Sequence, residues 1–409
     1  MHRILSPLSR ALFACILVVS LSAMAEANLP SSAPKTKVAL PKLKPLIGKQ
    51  LPITACSAMD ASKSNGLCLS AKMAFDFIHA GYHQFGDYSA VDYNYPLPGK
   101  HGRRLSGYVS VAMNGLFPHG QMHVGLAYYP GNDRGHDLDN EDDKAQYQKR
   151  MAVKVEEAYM DLMPFGSLPL FIRVGKSYTP YGASAITYPD RDEDHPIIAT
   201  NTFLMTQTRA NIIALAYDDY KHSGFSGAAY VQSHHSTMDE QSESMEAWGV
   251  QAGYQTPTRK VCDSAFGVNL SMVSNPEAVV YLSDLHLLNT NRAYSGLFFF
   301  SLKRLRVEYG NTVFKIDRAN TFRAWDYAMT YRLGYHPQYG ESNLFFGWGK
   351  SYDGASFALP ETSWWVGVKQ AVNARTELSL VMFRAKSYLS SVAVGDSEKK
   401  MVFRFGYRL

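Results

Sequence analysis

Beyond residue 25 the chain has no run of about 18 or more apolar residues, and a helix needs about 20 to cross a bilayer, so helical membrane spans are excluded. Excess charge of one sign is also missing. Setting aside Arg3 and Arg10 of the N-terminal segment leaves 39 basic residues (41 less 2) against 36 acidic ones, a net +3, which gives no reason to expect a nucleic-acid or other polyanion partner. Cysteine is scarce. Cys15 lies in the N-terminal apolar stretch, and Cys56, Cys68 and Cys262 follow it with no Cys/His spacing of a zinc site. No G-x-S-x-G elbow occurs, since Gly224-Phe225-Ser226-Gly227 is one residue short. Gly347-Trp348-Gly349-Lys350 lacks the spacing of a phosphate loop. These gaps predict neither a catalytic constellation nor a cofactor or metal site.

What is present points to export. Arg3 and Arg10, the apolar stretch Ala11 to Leu21 and the Ala23-Met24-Ala25 box read as a signal peptide over residues 1–25. In an oxidising compartment Cys56 and Cys68 are the candidate disulfide pair, leaving Cys262 single. Residues 26–68, with Pro34-Lys35-Thr36-Lys37 and Pro41-Lys42-Leu43-Lys44-Pro45, read as a Pro/Lys-rich periplasmic or lumenal segment.

From residue 69 to 409 the pattern has period two. In Met401 to Leu409 every odd position is large and apolar or aromatic, and Arg404 and Arg408 lie between them. Sixteen such segments, each about ten residues, follow one another, and long connections alternate with short turns such as Gly115-Leu116-Phe117-Pro118 and Val372-Asn373. The contrast fades only around 316–322 and 336–341. The fold class expected is all-β: a transmembrane antiparallel up-and-down barrel of about sixteen strands in the cell outer membrane, with outer-membrane lipid and lipopolysaccharide as its surroundings. Tyr 26, Phe 21 and Trp 5 suit the interfacial girdles of such a barrel. Aromatic-rich β-sandwich cores are the alternative.

The alternation also assigns faces. Trp325, Tyr327, Met329, Tyr331 and Leu333 suit lipid, and their neighbours Asp326 and Arg332 suit the lumen, because arginine on the lipid face costs about 2–4 kcal/mol at midplane. The expected lumen-facing set is Arg173, Arg304, Arg306, Arg332, Lys369, Arg404 and Arg408, with Glu308, Asp326 and Glu377 as partners. Such a basic set either attracts anionic solutes or pairs across strands and stiffens the wall. Strand 151–162 breaks the rule, because Glu157 falls in the row of Val153, Val155 and Tyr159; a bulge or a shifted register would explain it. Carboxylates crowd two outer loops, Asp133 to Asp143 and Asp190 to Asp194, but without EF-hand spacing they read as solvated loops rather than calcium sites. His136, His195, His234 and His235 read as exposed loop histidines.

The run Phe171-Ile172-Arg173-Val174-Gly175-Lys176-Ser177-Tyr178-Thr179-Pro180-Tyr181-Gly182 resembles the G-K-x-Y-x-P-[FY]-G segment of the LbtU-type outer-membrane siderophore porins. Its family-motif positions here are Gly175, Lys176, Tyr178, Pro180 and Gly182, and the likeness covers roughly residues 150–235. The resemblance implies a barrel that takes up a ferric siderophore, or another small anionic chelate, without an energy-coupling plug. A general or anion-selective diffusion porin is the first alternative, and an outer-membrane barrel enzyme or adhesin the second. A homotrimer and a single barrel both remain open.

Overall fold

The computed structural model describes residues 66–83, 101–117, 119–128, 154–163, 169–181, 200–206, 209–219, 223–233, 245, 247–256, 264–274, 290–316, 320–336, 340–352, 359–373 (with 375) and 376–388, and 397–408. Sixteen antiparallel strands close on themselves, each bonded to its neighbours in sequence and β1 to β16. They are β1 (Gly66–His83), β2 (His101–Phe117), β3 (Gly120–Tyr128), β4 (Lys154–Leu162), β5 (Leu170–Tyr178), β6 (Arg209–Asp218), β7 (Phe225–Gln232) and β8 (Ala247–Gln255). The second half comprises β9 (Ser264–Ser274), β10 (Thr290–Leu302), β11 (Leu305–Ile316), β12 (Asn320–His336), β13 (Gly340–Tyr352), β14 (Pro360–Ala371), β15 (Thr376–Tyr388) and β16 (Ser397–Arg408). A short helix, α1 (Asn201–Thr206), lies between β5 and β6. Closure leaves no unpaired edge, which is what lets a sheet survive in hydrocarbon.

The period-two reading holds around the wall. Outward positions such as Phe77, Leu215, Leu270 and Phe298 are exposed large apolar groups, and their inward neighbours are buried. That apolar outer face places the barrel in the outer membrane. Short links such as 303–304 and 372–375 join strands at one end, and the links 84–100, 129–153 and 179–208 lie at the other. At the short end the Asn373 side chain accepts from the N–H groups of Arg375 and Thr376 (2.8 Å each), making the turn between β14 and β15.

Three details correct or complete the sequence reading. First, β1 begins at Gly66, so residues 66–68 join the wall rather than the leading segment. Second, the register between β3 and β4 shifts between Gly125 and Leu126: Gly125 faces Glu157 while Leu126 faces Val155. This bulge skips Glu156, turning Val155 outward and Glu157 inward and resolving the conflict in that strand. Third, Arg304 sits on the exposed turn after β10, where its guanidinium donates to the Leu333 carbonyl (3.2 Å), so it is a rim residue and not part of the lumen wall.

The signal peptide, residues 26–65 with Cys56, the acidic loops at 133–143 and 190–194, the four loop histidines, Cys262 and Gly182 lie outside the described residues. Cys68 stands opposite Asn114 in the β1–β2 register.

Candidate functional site

The candidate site is the inner wall. Near the short-turn end it carries a belt of ion pairs, most of them formed by strand pairing that brings distant residues face to face. Arg404 on β16 stands directly opposite Asp76 on β1 and donates through Nε and a terminal nitrogen, both 2.6 Å. Arg173 on β5 grips Asp161 on β4 in the same two-pronged way, at 2.6 and 2.7 Å. Arg306 pairs with Glu308 two residues along β11 (Nε to oxygen 2.8 Å), Lys369 with Glu377 (3.0 Å), and Arg332 with Glu341 (2.9 Å). Two parallel charge-assisted bonds hold a guanidinium in one orientation.

Five of the expected lumen cations therefore face inward with a carboxylate against each. Glu308 and Glu377 are partners as read from the sequence, whereas Asp76, Asp161 and Glu341 were not singled out. Their strands carried the right alternation, but only the register reveals who faces whom. Arg408 stands opposite Lys72 in the register, and its side chain is outside the described residues. A wall whose cations are matched by acids has less net pull on anions than the arginines alone suggest.

On β2 to β5 the pairs extend into a polar network. The ring nitrogen Nδ1 of His123 lies 2.6 Å from the Asn114 side-chain oxygen, and Nε2 lies 3.4 Å from Glu157. The imidazole stacks on Tyr159 at 5.1 Å, and the Arg173 guanidinium covers the same phenol ring at 3.8 Å. Gln121 donates to Asp161 (2.7 Å), joining the network to the Arg173 pair.

Asp326 has a different role from the one its neighbours suggested. It pairs with α1 rather than with an arginine. Its carboxylate accepts from the backbone N–H groups of Asn201 (3.3 Å) and Thr202 (2.6 Å) and from the Thr202 hydroxyl (2.7 Å). A carboxylate satisfies the orphan donors of a helix start and complements its dipole. The approach depends on Gly349, opposite Asp326 in the register, where a Cβ would fall 2.1 Å from the carboxylate oxygen. The connection after β5 is thus pinned inside the barrel.

The family-like run leads into this connection. Gly175 has φ +125° and faces β4 so closely that a Cβ would lie 2.3 Å from the Ala158 carbonyl oxygen, so only glycine fits. Lys176 donates to the Val155 carbonyl at the bulge (2.8 Å). Tyr178 and Pro180 are buried, and Tyr181, fully buried, meets Phe314 edge-on at 6.2 Å. The run thus steers the chain from the wall into the lumen. Among the described residues no group of three or more His, Cys, Asp or Glu side chains is arranged to hold a metal ion.

No protein-family model and no curated protein matches the chain. Solved structures do. Salmonella typhi OmpF in complex with daunomycin superposes with a TM-score of 0.54 at 12% identity, over 86% of this chain and 99% of that one. The outer membrane channel DcaP of Acinetobacter baumannii gives 0.50 at 10% identity over 86% and 99%. An anion-selective porin from Comamonas acidovorans gives 0.50 at 10% identity over 84% and 100%. At such identities the likeness is one of fold, and the fold is that of sixteen-stranded outer-membrane barrels.

Proposed function

We propose that the protein is a passive outer-membrane channel for small solutes, and that the solute class it serves is an anionic chelate of the ferric-siderophore kind. One observation carries the channel reading: a closed barrel whose polar inner wall surrounds a chain segment pinned to Asp326. A segment held by a few hydrogen bonds narrows a passage and sets its selectivity without sealing it as a folded plug domain would. The neighbours' printed names, a channel and porins, agree with this reading. The siderophore assignment rests on the run from Gly175 to Pro180 and on its place at the entry to the pinned segment.

A general or weakly selective diffusion porin is the second reading. It is favoured by the pairing of Arg173, Arg306, Arg332, Lys369 and Arg404 with carboxylates, which leaves modest net charge on the wall. An iron-limitation experiment separates the two. A deletion strain supplied with ferric siderophore as sole iron source is expected to lose growth that plasmid-borne protein restores. Unchanged growth and unchanged radio-iron uptake would remove the siderophore assignment and leave the diffusion porin.

A further inference from the structure

Seven outward positions on the adjacent strands β10 to β16 carry cations, all toward one end of the barrel. On β10 to β16 the outward positions toward the long connections include Arg292, Lys315, Arg323, Lys350, Arg384 and Lys399. Lys386, one outward step beyond Arg384, joins them. Among the described outward positions of these strands there is no carboxylate. At the same end of β7 to β9 the outward residues are Val231, Trp248 and Ser274, all uncharged.

Two features show that this arc is built toward an anion. Arg292 stands directly opposite Lys315, and Arg384 directly opposite Lys399. Like charges in facing positions repel and weaken strand pairing, unless a group carrying more than one negative charge sits between them. The depth is fixed by aromatic rings at the same level. Lys315 lies over Tyr294 (5.5 Å) and Lys350 over Tyr352 (4.6 Å), while Trp325 and Trp348 meet edge-on at 4.8 Å. Tyrosine and tryptophan settle at head-group level, so the cations beside them stand among lipid head groups. Long connections mark the outer leaflet.

We propose that the outer-end rim of β10 to β16 is a binding surface for the phosphate groups of the phosphorylated glycolipid of the outer leaflet, lipopolysaccharide. Phosphomonoesters carry about −1.5 to −2 charge and three acceptor oxygens each, which suits facing pairs of arginine and lysine. A phosphodiester with a single charge, or a zwitterionic head group, does not offset two facing cations. The surface is one-sided: glycolipid is held along β10 to β16 and not along β7 to β9.

The test uses the full-length protein folded in detergent, with bisphosphorylated lipid A as the probe, its dephosphorylated form and phosphatidylglycerol as comparisons, and native mass spectrometry as the readout. Wild-type protein is expected to retain lipid A at least tenfold more than either comparison lipid. The triple variant Arg384→Gln, Lys386→Gln, Lys399→Gln is expected to lose that retention about tenfold while keeping its heat-modifiable mobility on gels. The wild-type comparison decides even if the variant does not fold. Equal retention of lipid A and its dephosphorylated form overturns the proposal, as does equal retention of phosphatidylglycerol. A variant that keeps its lipid A but changes oligomeric state also overturns it, because the arc is then an interface between copies.

Discussion

Arg404 and Asp76 are 328 residues apart in the chain, yet each is the other's main stabilising partner on the wall. Removing one member of a buried ion pair strands the other charge, which costs about 3–5 kcal/mol, whereas removing both costs much less. Asp76→Ala and Arg404→Ala are each expected to lower the urea midpoint of the folded barrel strongly, and the double variant to recover most of the loss. Single variants that shift stability by less than about 1 kcal/mol would contradict the pairing. The inward direction of Arg404 was legible in the sequence, because Phe403, Phe405 and Tyr407 claim the lipid side. Its partner was not legible, because closure of β16 onto β1 chooses among all the carboxylates in the chain. Arg173 and Asp161 repeat the lesson, and Arg304 marks the limit of parity, since a turn residue can follow the inward row and still face water.

At the scale of elements, all sixteen strands could be read from alternation and turn residues, with ends displaced by no more than four residues from those observed. Alternation works because every strand must keep one face in hydrocarbon. Two elements escaped for physical reasons. In β4, parity alone could not decide between a bulge and a shifted register, and the pairing with β3 settled it. The α1 helix has six residues, too few for an apolar period, and is held by Asp326 on a strand far along the chain. Its anchorage makes a specific prediction. A methyl group at position 349 would displace the Asp326 carboxylate, since the Cβ would lie 2.1 Å from its oxygen. Gly349→Ala and Asp326→Ala are therefore expected to act alike, both increasing protease cleavage around residues 200–206 in the folded protein while the barrel keeps its β-sheet circular dichroism. Cleavage unchanged in both variants would show that α1 is held by something else.

The whole molecule combines an apolar exterior, a belt of ion pairs toward the short-turn end and a pinned segment within the lumen. Closure satisfies the backbone, the outer face takes its solvation from lipid, and the inner ion pairs neutralise one another. On the proposed channel reading, the passage is governed less by wall charge than by α1 and its anchorage at Asp326. The measurement that tests this most directly is stepwise conductance of the purified protein in planar bilayers. Wild type is expected to give discrete conductance increments, and Asp326→Ala increments at least about twice as large, as the segment leaves the lumen. A protein that inserts but gives no increments, in either form, would contradict the channel account.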